Sequence, residues 1–297
     1  MTLANDAIAE LRASFAGLPP PIIVFCKSHS GSRLLARLMM AGGIWLGDDR
    51  NESEDSPAIL RLIEPLVARH HPDFIRLFRD GDPEIFGLAR AVLSRHVDTR
   101  PAERPWGWKL CETGYALPLL HRIFPEAHFV HLLRDGRDVA FSDHVAPQDD
   151  FWRKIYFDTD RVKRWRGRRL SHRTYGRASH VFNAQHWVNS VRVARAYGAM
   201  IGPNYLEMRY ETLVADPVGT TRTLFHSLGL AMDEGPVLAI ASEVRSDRVG
   251  KHRQMPARKR LAALTVLRPT LESFGYGLDD PEPDTFLRRL RERFHAF

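Results

Sequence analysis

Residues 20–40 decide the fold, and they read PPIIVFCKSHSGSRLLARLMM. The run Ile22 to Phe25 is apolar and largely β-branched, which is typical of a buried parallel strand. A polar loop at 27–32 follows, and apolar residues then recur at helical spacing from Leu34 to Met39. The stretch therefore predicts a strand, a glycine-containing loop and a helix in direct succession.

A loop between a strand and the start of a helix is suited to binding an anion. It exposes backbone N–H groups, and the positive end of the helix dipole points at the ligand. The side chains of the loop suit phosphate or sulfate oxygens: Lys27, Ser28, His29, Ser30 and Ser32, with Gly31 among them. We expect a phosphorylated cofactor here, and an ordinary first turn of an α/β fold is the alternative.

This loop differs from the phosphate-binding loop of nucleoside-triphosphate enzymes. That motif requires Gly-x-x-x-x-Gly-Lys-Ser/Thr, but here Cys26 stands at the first glycine and Ser32 at the lysine. A kinase-like phosphotransferase would lack its phosphate-bridging lysine, and it is kept as the alternative function. A nucleic-acid-binding protein would need a recognised reading module, and only 151–177 comes near one.

The composition is ordinary for a globular enzyme, and its basic balance suits an anionic ligand and, by itself, nucleic acid equally well. The chain has 297 residues and a net charge of +7, from 43 basic and 36 acidic residues. Its two cysteines, Cys26 and Cys111, lack zinc spacing, so we expect no disulfide framework and a reducing compartment, the cytoplasm. We also expect no signal peptide and no membrane span, because no long uncharged apolar segment occurs.

Strands and helices alternate along the rest of the chain. Further strands are predicted at 106–111, 128–133 and 205–210. The predicted helices lie at 5–16, 57–69, 83–96, 117–124, 183–200, 217–228, 256–273 and 283–295. This order predicts a single α/β domain over 1–297, with a central parallel sheet of about four to five strands.

Polar residues follow each predicted strand, at the edge of the sheet where α/β proteins bind ligands. Lys109 and Glu112 end the second strand. The polar segment 47–55 is expected either to rim an active site or to lie on the surface, and the surface is the preferred prediction. The basic, irregular insert 147–180 is predicted to be either a substrate lid or a solvated face.

Three motifs carry a resemblance to a known family. They are the loop segment 25–35, RDGRDVAFS at 134–142 and RYETLVADP at 209–217. With these motifs the chain resembles the bacterial type of sulfotransferase that depends on 3′-phosphoadenosine 5′-phosphosulfate (PAPS) and releases 3′-phosphoadenosine 5′-phosphate (PAP). The resemblance implies a P-loop-like three-layer sandwich that requires no metal.

The resemblance also implies which residues bind the donor. The loop at 25–35 is similar to the family's 5′-phosphosulfate loop, with Arg33 as a departure from it. Arg134 and Ser142 match the arginine and serine that hold the 3′-phosphate, and Tyr210 matches a tyrosine at the adenine. The segment 248–253 resembles, more loosely, a late loop that closes on the 3′-phosphate, and it contributes Arg248, Gly250 and Lys251.

The catalytic residues are less sharply defined. Where the family has a lysine or arginine that stabilises the leaving group, this chain has His29, so Lys27, His29 or Lys109 is expected to supply the charge. Glu112 fits best as the base, with His144 and His29 as competitors. The expected acceptor is a hydroxyl or amine of a small molecule, carbohydrate or lipid, and not a nucleic acid.

Overall fold

The core of the structure is a parallel sheet. The structure is a computed structural model, and it describes residues 3–142, 152, 155–156 and 172–277. Within these residues the strands are β1 (Ile22–Cys26), β2 (Gly107–Lys109), β3 (His128–Leu133) and β4 (Tyr205–Arg209). They are all parallel and lie in the order β2–β1–β3–β4.

Helices cover both faces of this sheet. They are α1 (Leu3–Ala13), α2 (Ser32–Ala41), α3 (Pro57–His70), α4 (Ile75–Asp80), α5 (Pro83–Asp98), α6 (Leu117–Ile123), α7 (Gly136–Ala140), α8 (His172–Ile201), α9 (Tyr210–Ala215), α10 (Pro217–Ser227), α11 (Glu234–Ser242) and α12 (Ala257–Ser273). Short 3₁₀ turns lie at Cys111–Tyr115, Gly202–Asn204 and Lys251–Gln254. Among the described residues, no helix is both long and apolar enough to cross a membrane.

Side chains of the central strands alternate between two buried faces. Ile23 and Phe25 of β1 pack with Phe129 of β3 in a core formed with α1, α3, α5 and α6. Val24 and Val130 lie in a second core, formed with α2, α9, α10 and α11. Since successive residues of a strand point to opposite sides, an unbroken apolar run is what two covered faces require. The predicted three-layer α/β architecture is confirmed.

The strand order places the binding edge beside β1. The chain leaves β1, forms β2 on one side of it and then forms β3 on its other side. The loops that follow these strands therefore diverge at their carboxyl ends and leave a crevice between them. The loop after β1 lies at this crevice.

Several predicted boundaries differ from the structure. Tyr210, predicted to end β4, begins α9 instead, because the pairing of β4 with β3 ends at Leu133 and Arg209. β2 is shorter than predicted, because a 3₁₀ turn begins at Cys111. The short helix α4 was missed.

The basic insert falls mostly outside the described residues. Of the predicted 147–180 segment, residues 172–180 begin α8, and 152 and 155–156 are also described. The remaining residues of the insert and the predicted helix 283–295 lie outside the described part of the chain. The lid therefore stays a prediction.

Gly107 gives a direct test of how closely β2 approaches β1. A Cβ atom at this position would lie 1.7 Å from the carbonyl oxygen of Ile22. We expect Gly107→Ala to lower the free energy of unfolding by about 3 kcal/mol, because strand backbone must move to accept it. Urea denaturation followed by circular dichroism measures the change.

Gly87→Ala is the matched control for Gly107→Ala. Gly87 lies on the exposed side of α5, and a Cβ atom there meets no atom within 4 Å. Alanine should stabilise this helix by about 1 kcal/mol. Equal effects of the two substitutions would contradict the close approach of β2 to β1.

Candidate active site

A cleft of about 580 Å³ opens at the carboxyl ends of the strands. Most of its lining side chains are cationic or hydroxyl-bearing, which suits an anionic ligand. The lining residues are Ser28, His29, Gly31, Ser32, Arg33, Ser53, Asp55, Lys109, Cys111, Arg134, Ser142, Arg248 and Lys251. Of these, Ser53, Asp55 and Cys111 were not predicted as site residues.

The loop after β1 is a tight turn with two residues in the left-handed region. His29 has φ 68° and Gly31 has φ 89°. The backbone N–H of Ser30 donates to the carbonyl oxygen of Lys27 at 3.1 Å, which closes the turn. A Cβ atom on Gly31 would lie 2.2 Å from the ring of Tyr210, so both backbone angle and packing require glycine here.

The turn leads directly into α2, which begins at Ser32. The first N–H groups of a helix have no partner within the helix and carry partial positive charge. Ser28, Gly31 and Ser32 line the cleft at this helix start. This part of the cleft is therefore chemically suited to phosphate or sulfate oxygens.

Two buried lysines lie behind this loop. The side chains of Lys27 and Lys109 are only 1% and 2% exposed. Burial lowers the pKa of Lys27 to about 7, against the opposing effect of the nearby thiols and of Glu112. Burial also acts to lower the pKa of Lys109, but the charges of Cys111, Cys26 and Asp55 outweigh it, so that pKa is raised.

Lys109 holds the polar loop at 47–56 against the cleft. Its ammonium donates to the carbonyl oxygen of Ser53 at 2.9 Å and lies 2.8 Å from a carboxylate oxygen of Asp55. The carbonyl oxygen of Lys109 accepts from the N–H of Ser56 at 2.8 Å. The segment lies on the surface, with 48–49 and 51–53 exposed, and it also rims the cleft, because these bonds fold it over the end of β2.

Arg134 is a buried cation that lines the cleft and contacts the loop after β1. Its guanidinium donates to the carbonyl oxygens of His29, at 3.2 Å, and Arg248, at 2.5 Å. It also lies over the ring of Tyr210, 4.4 Å from the centroid. Its Nε atom is buried and has no hydrogen-bond partner among the described residues. Such a buried donor needs an explanation, and an anionic ligand supplies one.

Asp138 connects this region to the late glycine-containing loop. Its two carboxylate oxygens accept from the N–H of Gly250, at 2.7 Å, and from the N–H and Nδ1 of His252, at 3.0 and 2.7 Å. Burial by itself would raise the pKa of Asp138, but these hydrogen bonds outweigh it and hold the pKa below its usual range. Lys251 is thereby placed to donate to the hydroxyl of Ser142 at 3.0 Å.

Tyr210 lies behind the cleft and does not line it. Its ring is buried and packs against both Gly31 and Arg134. The next residue, Glu211, accepts from the backbone N–H of Asp135 at 2.8 Å. The start of α9 is therefore joined to the turn that carries Arg134.

Glu112 is half-buried beside the cleft. It accepts a hydrogen bond from the hydroxyl of Tyr156 at 3.1 Å. Burial is the main cause of its raised pKa, and a raised pKa suits a group that must exchange a proton near neutral pH. Its chain neighbours Lys109 and Cys111 line the cleft, whereas Glu112 does not.

The structure brings most of the predicted site residues to one cleft. The predicted residues that are described but do not line it are Lys27, Ser30, Glu112, Tyr210 and Gly250. His144, the competing base, lies outside the described residues. Ser53 and Asp55 could have been suspected only through Asn51, whose side-chain oxygen accepts from the N–H groups of both residues. Asparagine in this pattern predicts a folded turn, but it does not predict that the turn lies at the cleft.

The sequence profile of the sulfotransferase family matches residues 20–234. The chain therefore belongs to the sulfotransferase family and is a sulfotransferase. This membership decides against the phosphotransferase alternative.

The chain is similar to several solved sulfotransferase structures, of which one has a TM-score above 0.5. Sulfotransferase STF9 from Mycobacterium avium is 12% identical, covers 94% of this chain and 85% of its own, and has a TM-score of 0.51. The sulfotransferase domain of the olefin synthase from Synechococcus PCC 7002 is 18% identical to this chain. The match covers 88% of this chain and 96% of that domain, with a TM-score of 0.47. Mouse sulfotransferase SULT7A1, solved in complex with PAP, is 13% identical to this chain. The match covers 97% of this chain and 94% of the mouse chain, with a TM-score of 0.47. A search of curated proteins found no match.

We predict that Asp138→Asn destabilises the fold at neutral pH. The substitution replaces one carboxylate oxygen, which accepts hydrogen bonds, by an NH₂ group that faces the N–H donors of Gly250 and His252. The free energy of unfolding should therefore fall by about 3 kcal/mol. The folded-state pKa of Asp138 lies below that of the unfolded chain. Its contribution is therefore complete above the unfolded pKa, about 4, and is lost as pH falls through the folded value.

Urea denaturation at several pH values between neutral and acid measures this difference. Asp216→Asn is the control, because exposed Asp216 caps α10 by accepting from Gly219 and asparagine caps equally well. That change should stay below about 0.5 kcal/mol at every pH. An Asp138→Asn effect that is equally small would show that the late loop does not depend on this carboxylate.

Proposed function

We propose that this sulfotransferase moves a sulfuryl group from PAPS to a hydroxyl or amine acceptor by in-line transfer. The observation that carries the proposal is that two separate anion-binding elements open on one cleft. The loop after β1 and the start of α2 line the cleft with Ser28, His29, Gly31, Ser32 and Arg33, and the second element contributes Arg134, Ser142 and Lys251. PAPS carries anionic groups at both ends of a nucleoside, which is the ligand that such a cleft would suit.

The 3′-phosphate is assigned to the part of the cleft around Arg134. The buried Nε of Arg134 needs an acceptor, and Ser142, Arg248 and Lys251 add a hydroxyl and two cations beside it. Tyr210 contacts Gly31 and Arg134 and would therefore fix the distance between the two anion-binding elements of the donor site. We propose that it does so beside the adenine, as the family resemblance implies.

The 5′-phosphosulfate is assigned to the loop that follows β1. Backbone N–H groups at the start of α2 and the hydroxyls of Ser28 and Ser32 would hold its oxygens, while Ser30 closes the turn behind them. When bound, PAPS supplies the sulfuryl group, and negative charge then develops on the phosphate that remains. Lys27 is a buried cation of this loop and Lys109 is a buried cation of the cleft lining, and we assign charge stabilisation to them, with His29 at the rim.

Glu112 is proposed to take the proton of the acceptor. Its raised pKa and its hydrogen bond from Tyr156 support this role, as does its place directly after the cleft-lining residue Cys111. The acceptor is proposed to be a small molecule, carbohydrate or lipid. The proposed compartment is the cytoplasm, since a reducing environment keeps both cysteines as thiols.

Titration with PAP by calorimetry, in the absence of magnesium, tests the donor site. Arg134→Ala should weaken binding about a hundredfold, because it removes a buried cation that faces the phosphate. Ser142→Ala should weaken binding about tenfold, because one hydrogen bond is lost.

Arg222→Ala is the matched control for the arginine substitution. Arg222 is an exposed residue of α10 that pairs with Glu234, and its removal should leave the affinity for PAP unchanged. Circular dichroism checks that each variant is folded. Wild-type protein that does not bind PAP, or a folded Arg134→Ala variant that binds it equally well, would refute the assignment.

The pKa of Lys27 predicts how PAP binding depends on pH. In the free protein this lysine titrates at about 7, and a bound anion favours its charged form. Affinity should therefore rise as pH falls from 9 to 7, by about tenfold, with uptake of a proton on binding.

Calorimetry in two buffers of different ionisation enthalpy measures the proton uptake. Lys27→Met should abolish the uptake and flatten the pH dependence between 7 and 9. Protonation of PAP itself is the same in both proteins and so cancels in the comparison. Equal proton uptake by wild type and variant would remove Lys27 from the donor site.

A further inference from the structure

The two cysteines of the chain meet at the edge of the cleft. Cys26 ends β1, and Cys111 begins the 3₁₀ turn that follows β2. Both are free thiols, and their sulfur atoms are 3.4 Å apart. The sequence contains only these 2 cysteines, so this contact involves every thiol of the protein.

The strand register explains why the thiols meet. Val24 of β1 pairs with Lys109 of β2, and the N–H of Leu110 continues the ladder by donating to Val24 at 3.0 Å. Two residues further along each chain, Cys26 and Cys111 are neighbours on the same face of the sheet. Their sulfur atoms approach to 3.4 Å, so the two side chains already face each other, as the closure of a disulfide requires.

The pair is open to small reagents from the cleft. Cys111 is partly exposed and lines the cleft, and Cys26 lies directly behind it with 4% exposure. The hydrogen bond from Cys111 lowers the pKa of the Cys26 thiol, which favours the thiolate that oxidants attack. Lys109 adds positive charge near both sulfurs.

We propose that Cys26 and Cys111 form a reversible redox pair whose oxidation by hydrogen peroxide weakens donor binding. In the net step, two thiols and one peroxide give one disulfide and two waters. Two S–H bonds and the O–O bond break, one S–S bond forms, and both protons and both electrons go to the peroxide oxygens. The effect on donor binding rests on the function proposed above, whereas the disulfide itself does not.

Disulfide formation would act on the two lysines of the site. The sulfurs must move from 3.4 Å to about 2.05 Å apart, and Cys26 directly precedes Lys27. A displacement of about 1 Å in a positioned group can cost about a hundredfold in function. Oxidation also removes the thiolate form of Cys26, whose negative charge opposes the effect of burial on the pKa of Lys27 and of Lys109.

The test treats the purified full chain with hydrogen peroxide and counts free thiols. Intact-mass analysis should show monomer that has lost two hydrogen atoms and two titratable thiols, and dithiothreitol should restore both. PAP affinity measured by calorimetry should fall about tenfold on oxidation and recover on reduction. Cys26→Ser and Cys111→Ser each remove one partner, so neither variant should form the internal disulfide. Peroxide should therefore cause no fall in their PAP affinity that dithiothreitol reverses.

Other outcomes would overturn the proposal. A covalent dimer, oxygen added to one cysteine, or two thiols that persist under peroxide would show that the pair does not close. A disulfide that leaves PAP affinity unchanged would show that closure does not reach the donor site. If the reduced protein does not bind PAP, the donor assignment and the control of binding both fail, while the thiol count still establishes whether the disulfide forms.

Discussion

The buried carboxylate of Asp138 is the constraint on which the part of the cleft around Arg134 depends. It accepts three hydrogen bonds from Gly250 and His252, and these hold the late loop against α7. The same loop supplies the carbonyl oxygen of Arg248 to Arg134 and the ammonium of Lys251 to Ser142. A single desolvated charge, fully hydrogen-bonded, thus joins segments that are far apart in the chain.

The part of the cleft around Lys109 depends on electrostatic balance. Lys27 and Lys109 are almost fully buried, which penalises their charged forms. Asp55 and the two thiols offset that cost, most clearly for Lys109, whose pKa is raised. Positive charge can then be kept beside the loop that follows β1 without exposing it to water.

Much of the fold could be predicted because local patterns determine it. The apolar run of β3 at 128–133 was placed with its observed bounds, and RDGRDVAFS put Arg134 directly after a strand. Since carboxyl ends of parallel strands meet at one edge, the convergence of Lys109 and Arg134 followed. The end of β4 was predicted one residue too late, at Tyr210. Its pairing with β3 stops at Arg209 because β3 itself ends at Leu133, and the sequence of β4 does not contain that information.

The sequence by itself determined the class of the fold, the positions of the anion-binding motifs and the likeness to sulfotransferases, because these depend on residue type and spacing along one segment. Only the tertiary structure decided that Ser53 and Asp55 lie in the cleft, that His252 secures Asp138, and that the two cysteines touch. Each of these contacts joins segments that are remote in sequence. Their distances depend on strand order and register, and no local pattern encodes those quantities.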